Sequence, residues 1–201
     1  FWSDPSTLRF VNRRSKSTQV WLMVLSLAAG CGTDSVPHHS SEPASVWSAK
    51  VAQVTRDTRG HILANTGVWS PDSEWLVYDT RSDAAGDLFD GNTIEMVNVR
   101  TGEVRELFRS TNGAHCGVVT FHPRDWKVAH ILGPENPTLD WQYAPWHRQG
   151  VIVEVAQAGL ASNLDARDVM PPFTPGALRG GTHVHVWDAS GDWISFTYED
   201  H

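Results

Sequence analysis

The clearest feature of the chain is one pattern of apolar and polar positions that returns along the sequence. Residues 68–78 (VWSPDSEWLVY) and 186–196 (VWDASGDWISF) align without a gap, and a weaker copy covers residues 120–131 (TFHPRDWKVAHI). Each copy has an apolar start, a short polar turn and a second apolar run that follows a Trp. This pattern is typical of a strand–turn–strand unit. A unit that recurs along the chain predicts a repeat architecture, here a β-propeller.

The same pattern predicts further strands and groups them into blades of four. The first blade is predicted at 63–69, 75–80, 93–99 and 104–108, and the second at 117–122, 127–132, 151–155 and, weakly, 164–169. A third begins at 182–187 and 193–198, and an early strand is predicted at 51–55. The predicted fold class is therefore all-β, with roughly two and a half blades where a closed ring has roughly four to eight. Residues 51–201 are predicted to be the N-terminal part of a longer ring; a self-contained small β-domain is the alternative.

The first fifty residues have a different character. Basic residues precede a short apolar run at 20–29, which small residues and Cys31 follow. This order of residues is typical of an export signal, and the apolar run is too short for a membrane-spanning helix. It resembles the bacterial lipoprotein signal, which predicts a signal segment at 1–30, lipidation of Cys31 and a flexible tether at 31–50. The expected location is the periplasm or cell envelope, with a lipid anchor in a membrane. The alternative is a core helix with an incidental Cys.

Charge excludes one class of partner. The net charge of the chain is −7, and removing the four bases and one acid of residues 1–30 leaves −10. An acidic surface repels phosphate backbones, so no nucleic-acid partner is expected. The ten Trp residues lie partly at the repeat positions, where packing between strands is the expected role.

A His pair is the strongest chemical signal. His183 and His185 are two apart on a predicted strand, so regular alternation places both side chains on one face. Two imidazoles facing a channel predict a divalent transition metal such as Zn, Mn, Ni or Fe, which needs further ligands. His115 and His147 are the candidates, with Gln142 as another. The alternative is a pair of polar residues that line the channel and bind water.

Two other groups are candidates for ligand binding. Arg179 precedes two glycines, so it could hold a carboxylate while the backbone comes close to the ligand. Trp141 and Gln142 lie with His147 in the long segment 133–150. Cys116 is expected to be a small buried residue rather than a nucleophile.

Several of these segments carry a family resemblance. Residues 69–72 (WSPD) followed by 75–78 (WLVY) resemble the repeat of TolB-type propellers. Residues 133–137 (GPENP), 141–143 (WQY) and 172–200 are similar to the YidR-like bacterial family of TolB-like propellers, which carries a biopolymer-transporter label. The resemblance covers about residues 53–201, and family members are longer. The TolB resemblance implies a periplasmic interaction protein. Together with the lipoprotein-type signal, the expected function is a lipid-anchored binding or scaffold module whose partner is an envelope protein or polysaccharide.

A more distant resemblance suggests an enzyme. Residues 183–185 (HVH) are similar to the His-x-His metal pair of oligogalacturonate lyases, which are propellers of related type. Those enzymes have a Gln upstream of the pair, and the equivalent position in this chain is Gly180, so that ligand is missing. The resemblance implies, as the alternative function, a metal-dependent polysaccharide lyase in which His183 and His185 hold the metal and Arg179 binds a uronate carboxylate.

Overall fold

The structure is a computed structural model that describes residues 51–83, 85–165, 167–168 and 171–200. These residues form ten β-strands and two short 3₁₀ helices, so the predicted all-β class is confirmed. Neither helix of the described part has the length and apolar character needed to cross a bilayer. The signal segment, the lipidation of Cys31 and the tether fall outside the described residues and stay predictions.

The first sheet is an antiparallel meander of four strands in chain order. Its last two strands are joined by a tight turn in which Asn98 Oδ1 accepts hydrogen bonds from the amides of Arg100 and Thr101, both at 3.0 Å. Gly102 completes the turn at a φ of 74°, a conformation that disfavours larger residues. The strands are β1 (Gly60–Ile62), β2 (Trp75–Arg81), β3 (Thr93–Asn98) and β4 (Val104–Arg109).

The second sheet repeats this topology, and a third sheet of the described chain contains two strands. The second sheet consists of β5 (Cys116–Phe121), β6 (Lys127–Leu132), β7 (Gln149–Glu154) and β8 (Ala161–Asn163). The third pairs β9 (Gly181–Trp187) with β10 (Ile194–Glu199). The 3₁₀ helices are Pro145–His147 and Val155–Gln157.

Three of the predicted strands differ from the structure. Residues 51–55 form no strand, and Val51 is 96% exposed, so no burial favours an extended pairing there. The strand predicted at 63–69 does not form: β1 lies before it, at Gly60–Ile62, and pairs with the end of β2. Within 63–69 only Trp69 makes a bridge, to Leu76 near the start of β2. The described residues of the strand predicted at 164–169 belong to no named strand; β8 lies before them, and its residues are exposed and carry little apolar signal.

The core lies between the faces of the first two sheets. Its members alternate along their strands with residues of the opposite face, and burying each aliphatic side chain contributes roughly 1.5–3 kcal/mol. Cys116 belongs to this cluster, as expected for a small buried residue. The other fully buried members include Val77, Ile94, Met96, Leu107, Val119, Phe121, Val128 and Val153.

The repeat tryptophans do not share one environment. Trp75 is buried at 6% exposure, which confirms the packing role for that position. Trp193, its counterpart in the third copy, is 77% exposed among the described residues. The packing role predicted from the repeat is therefore wrong for Trp193.

The three repeat turns are closed by the same position. Ser70 Oγ accepts from the amide of Trp75 at 3.0 Å, and Asp188 Oδ1 accepts from that of Trp193 at 3.1 Å. The second copy has His122 there, and its Nδ1 accepts from the amide of Asp125 at 2.8 Å. The side chains differ, but each supplies the acceptor that the turn needs. Asp72 adds a further acceptor to the first turn, since its Oδ1 accepts from the amide of Glu74 at 3.0 Å.

A second shared position is a break in the first strand of each copy. Val118 and Val184 lie at equivalent places and have φ values of 58° and 54°, an unusual conformation for a β-branched residue. The register of the sheet shifts beside each of them, which marks a β-bulge. The counterpart in the first copy, Thr66, lies in the interruption between β1 and Trp69.

The three broken segments come together. Asn65 Nδ2 donates to the carbonyl oxygen of His185 at 2.7 Å, and the carbonyl of Gly67 accepts from the amide of Phe121 at 2.5 Å. A groove of about 250 Å³ is lined by residues 66–69, 120–121 and 186–189, the same stretch of each copy. These segments of the three copies therefore line one groove.

Candidate functional site

The larger of the two described clefts collects three of the predicted site residues. It has a volume of about 590 Å³ and is lined by the segment 140–147, by Phe173, by the two residues before β9 and by Asp200 after β10. We call it the aromatic cleft, and its lining residues are Asp140, Trp141, Trp146, His147, Phe173, Arg179, Gly180 and Asp200. Trp141, His147 and Arg179 are thus brought together, although up to 38 positions separate them in the sequence.

One wall of the aromatic cleft is the 3₁₀ helix Pro145–His147. Proline at its start favours this turn because the ring presets φ and the missing amide has no helical partner to lose. Its carbonyls point to Arg167, whose Nη1 donates to those of His147 and Arg148 at 2.8 and 2.7 Å. Nη2 donates to the carbonyl of Trp146 at 3.2 Å. One guanidinium therefore fixes three successive peptide groups.

Burial of that guanidinium has an electrostatic consequence. Burial lowers the pKa of Arg167 from its ordinary value, and the nearby carboxylate of Asp165 opposes this effect. The three carbonyl oxygens offset part of the lost hydration, since charged donors make strong hydrogen bonds. Arg167 also lies 5.8 Å from the ring centre of Trp141.

A second contact, an aromatic stack, holds the middle of the same loop. Tyr143 stacks on Phe89 with ring centres 4.4 Å apart and accepts from Arg148 Nε at 2.9 Å through its hydroxyl. Burial raises the pKa of Tyr143, while the charge of Arg148 acts in the opposite direction. The loop that carries Trp141 and Trp146 is therefore anchored to the first sheet as well as to Arg167.

His147 and the two tryptophans contact one another in the lining of the aromatic cleft. The His147 ring lies 4.0 Å from that of Trp141 and 5.8 Å from that of Trp146, centre to centre. Its Nδ1 donates to the carbonyl oxygen of Gln142 at 2.6 Å. Gln142 thus contributes its main chain here, and its exposed side chain is outside the lining.

Arg179 forms the opposite wall with Phe173. The guanidinium carbon lies 4.7 Å from the centre of the Phe173 ring, a cation–π distance. The two glycines that follow serve a packing role. A Cβ at Gly180 would lie 2.1 Å from the carbonyl oxygen of Glu199, and one at Gly181 would lie 1.9 Å from that of Pro145. They let β9 approach β10 and the 3₁₀ helix, rather than a ligand.

The bulge in β9 changes the geometry expected for the His pair. Thr197 pairs with His183, but Ser195 pairs with Val186, so Phe196 alone faces the two residues between them. Cross-strand partners share a face, so His183 and Val186 lie on one side of the sheet. His185 lies on the other, with Thr182, whose Oγ1 is 3.2 Å from His185 Nε2. The expected shared face is therefore wrong.

His185 belongs to a buried network that joins β9 to β7. Thr182 Oγ1 donates to Asp165 Oδ2 at 2.6 Å, so it can accept a hydrogen bond from His185 Nε2–H. The amide of Gly150 donates to the same carboxylate oxygen at 3.0 Å. Burial lowers the pKa of His185 to about 4, with Asp165 opposing. The neutral side chain therefore links two strands, and its Nε2 is already used in a hydrogen bond to Thr182.

The metal pair implied by the lyase resemblance does not fit this arrangement. Burial, then the positive Arg148, lowers the pKa of His183 to about 4, so its imidazole is neutral at pH 7. Neutral imidazoles suit metals, but the bulge directs this pair to opposite sides. His115 lies before β5, where its carbonyl accepts from the amide of Gly133 at 2.7 Å. Across the described ranges no three His, Cys, Asp or Glu side chains form a ligand group, and the metal stays a prediction.

Several cleft residues were missed from the sequence. Trp146 is a neighbour of Trp141 and could have been chosen with it, because both lie in one loop. Phe173 lies in a Pro-rich stretch without periodicity, and Arg167 is an isolated base; neither carries a signal in the sequence. Their roles depend on contacts between segments that are distant in the chain.

Comparison with known proteins gives two findings. Residues 115–201 match a family model described as "Protein of unknown function (DUF3748)". The chain is also 54% identical over 149 residues to the "Uncharacterized protein YidR" of Escherichia coli strain K12. That alignment covers 74% of this chain and 35% of the relative, so the chain spans about a third of the length of the curated relative it matches.

The match includes residues from both walls of the aromatic cleft, since the DUF3748 region begins at His115 and contains Trp141, His147 and Arg179. The YidR-like resemblance noted in the sequence is confirmed at this level. The chain is thus similar to the uncharacterised YidR protein over 74% of its length, and its residues 115–201 match the DUF3748 family model.

Proposed function

We propose that this chain is a binding module of the bacterial cell envelope that holds its partner in the aromatic cleft and catalyses no reaction. The observation that carries the proposal is the convergence of Trp141, Trp146 and Phe173 around one cleft, with Arg179 and His147 between them. Aromatic side chains with a few polar groups are typical of ligand sites.

The architecture we propose is part of a TolB-like β-propeller. Two four-stranded meanders follow one another and a two-stranded hairpin begins a third sheet. The same stretch of each copy lines one groove, as radial repetition around an axis would require. Residues 51–201 then supply part of a ring in a longer protein.

The proposed location follows from the sequence of the first fifty residues. A signal segment at 1–30, a lipid on Cys31 and a tether at 31–50 would hold the module at a membrane surface in the periplasm or cell envelope. The partner would be an envelope protein or polysaccharide. Metabolic labelling with an alkynyl fatty acid tests the anchor: label lost in Cys31→Ser supports it, and equal label in both proteins contradicts it.

The lyase alternative has no comparable observation in its favour. It needs His183 and His185 on one metal, and the bulge at Val184 separates them. Uronate oligomers incubated with the protein test it directly, because β-elimination leaves an unsaturated product that absorbs in the ultraviolet. A rise in absorbance that depends on His183 would restore the lyase hypothesis.

A binding titration monitored by tryptophan fluorescence tests the proposed function. The panel contains soluble envelope oligosaccharides and envelope-derived peptides, and each is titrated into the wild type, Trp141→Ala and Trp193→Ala. Trp193 is a matched control because it is 77% exposed and outside the lining of the cleft. We expect saturable binding of at least one class, weakened in Trp141→Ala and unchanged in Trp193→Ala. Binding that is equal in all three proteins would show that the cleft is not the site.

A further inference from the structure

We infer that the aromatic cleft binds an uncharged oligosaccharide. The inference rests on the proposed function, because it identifies the ligand class of the same cleft. The apolar part of the lining is entirely aromatic, with Trp141, Trp146 and Phe173 and no Leu, Ile, Val or Met among the described lining residues. A lipid chain or an apolar peptide is usually held by aliphatic side chains, whereas the flat C–H face of a pyranose fits the face of an indole ring.

Polar groups stand between the aromatic faces, where the hydroxyl edge of a sugar would lie. Asp140 accepts hydrogen bonds, Arg179 donates them, and both side chains line the cleft. His147 donates through Nδ1 to the carbonyl of Gln142, so in its neutral form Nε2 is an acceptor. This mixture of donors and acceptors matches hydroxyl groups, which do both.

The net charge of the chain argues against an anionic sugar. The described lining contains two carboxylates, of Asp140 and Asp200, and the guanidinium of Arg179, with that of Arg167 5.8 Å from Trp141, so no excess of positive charge is present to attract an anion. The whole chain has a net charge of −7, so a uronate or a phosphate would approach against the overall field. This distinguishes the cleft from the carboxylate-binding role that the sequence predicted for Arg179.

A cationic ligand is also disfavoured, although carboxylates and aromatic rings could in principle form a cage for it. The Phe173 ring already has the guanidinium of Arg179 at 4.7 Å, and Trp141 has that of Arg167 at 5.8 Å. Two of the three rings thus carry a cation of the protein itself, and a second cation would be repelled. An uncharged ligand meets neither obstacle.

The size of the cleft sets the length of the ligand. Its 590 Å³ lies within the range of about 300–1,000 Å³ that is usual for small-ligand sites. The loop that carries the two tryptophans is held at 146–148 by Arg167 and at Tyr143 by the stack on Phe89, so less ordering is required on binding than for a loop without these contacts. A short segment of a longer glycan therefore fits, with the rest of the polymer outside.

Isothermal titration calorimetry with the full chain tests the inference. The ligands are neutral oligosaccharides, including N-acetylated ones, their uronate and deacetylated amino-sugar counterparts, and a tryptophan-containing peptide. We expect binding to the neutral set, weakened about tenfold or more in Trp141→Ala because a central aromatic contact is removed. Trp141→Phe should recover most of the affinity, and Trp193→Ala should match the wild type.

Each other outcome has a distinct meaning. Preference for the uronate, the amino sugar or the peptide, still dependent on Trp141, would overturn the ligand class and leave the proposed binding function in place. Binding of no ligand, with all variants folded by circular dichroism, would overturn both. If both Trp141→Ala and Trp141→Phe lose affinity and thermal stability, the loss could come from misfolding. Phe173→Ala then serves as the second variant, because it removes an aromatic ring from the opposite side of the cleft. Unchanged affinity in Phe173→Ala would overturn the inference.

Discussion

His122 Nε2 lies 2.9 Å from the carbonyl oxygen of Gly191 and joins the turn of the second repeat to that of the third. The other ring nitrogen accepts from the backbone amide of Asp125, so Nε2 carries the proton and donates. The ring is 2% exposed, and Gly191 has a φ of 74°. This contact connects two sheets through a residue that the repeat pattern places in a turn.

The close approach predicts a specific sensitivity at Gly191. An added Cβ would lie 2.4 Å from two atoms of the His122 ring, so Gly191→Ala must displace the ring as well as strain the backbone. Gly176 is the matched control, because its φ is 81° and a Cβ there would meet nothing within 4 Å. We expect Gly191→Ala to lower the free energy of unfolding by about 1–3 kcal/mol more than Gly176→Ala.

Urea denaturation followed by tryptophan fluorescence measures this difference. The loss of unfolding free energy in Gly176→Ala reports backbone strain alone. The additional loss in Gly191→Ala then measures the clash with the His122 ring. Equal destabilisation by the two substitutions would show that the His122 ring moves without cost.

Arg167 is expected to position the walls of the aromatic cleft. Its guanidinium donates to the carbonyls of Trp146, His147 and Arg148, and Lys cannot reproduce this planar fork. Arg167→Lys should therefore lower the near-ultraviolet circular dichroism of the tryptophans and weaken ligand binding by about tenfold, with the far-ultraviolet spectrum retained.

Arg100→Lys is the control for that substitution. Arg100 is 70% exposed and pairs only with Glu74 in a surface ion pair, which contributes about 0–1 kcal/mol. We expect it to leave both spectra unchanged. A near-ultraviolet signal that is the same in all three proteins would mean that the 3₁₀ helix keeps its shape without the guanidinium.

Buried histidines predict a loss of stability in acid. Burial lowers the pKa of His130 and of His185 to about 4, against 6.5 for the unperturbed side chain. The unfolded chain therefore binds more protons between these values, so stability is full above pH 6.5 and falls as the pH drops toward 4. Each pKa unit corresponds to about 1.4 kcal/mol per histidine.

A buried carboxylate has the opposite effect on the pH dependence of stability, so it provides a control for the direction of the change. Burial raises the pKa of Asp79 to about 6, so its contribution to stability is lost as the pH rises from 3.8 through 6. Unfolding free energies at pH 7 and pH 4.5 should differ less in His130→Gln and more in Asp79→Asn than in the wild type. The reverse order would contradict the assignment of these groups.

Cys116 is expected to be unreactive in the native protein. Burial raises the pKa of its thiol to about 12, and its side chain is fully buried in the core. The thiolate is the reactive form, so a Cys31→Ser variant should react with Ellman's reagent only after denaturant is added. Fast reaction under native conditions would show that β5 opens readily.

Part of this fold could be predicted from local signals. The strand at 127–132 is found where the alternation of apolar residues places it, and β2, β3, β4 and β10 begin or end within one residue of their predicted bounds. Each has a strong apolar alternation and a turn whose residues favour it, such as Asn98 and Gly102. The strands at 51–55 and 63–69 were wrong because apolar side chains alone do not create a pairing partner.

The candidate site was predicted in part. Trp141, His147 and Arg179 were chosen from their residue types, and they line one cleft. Their neighbours Phe173 and Arg167 were missed, because nothing in the local sequence distinguishes them from other loop residues. His183 and His185 were placed on one face by regular alternation, which holds only when no residue is inserted into the pairing.

The sequence by itself determined the all-β class, the repeat, most strand positions and the turn residues, because these depend on side chains a few positions apart. Only the tertiary structure decided the bulge at Val184, which turns His185 into a buried connector, and the cleft between Trp141 and Arg179. Both arise from contacts between distant segments. A bulge is chosen by the register of two strands and their neighbours, and a cleft by how two loops meet, so neither leaves a periodic trace in the chain.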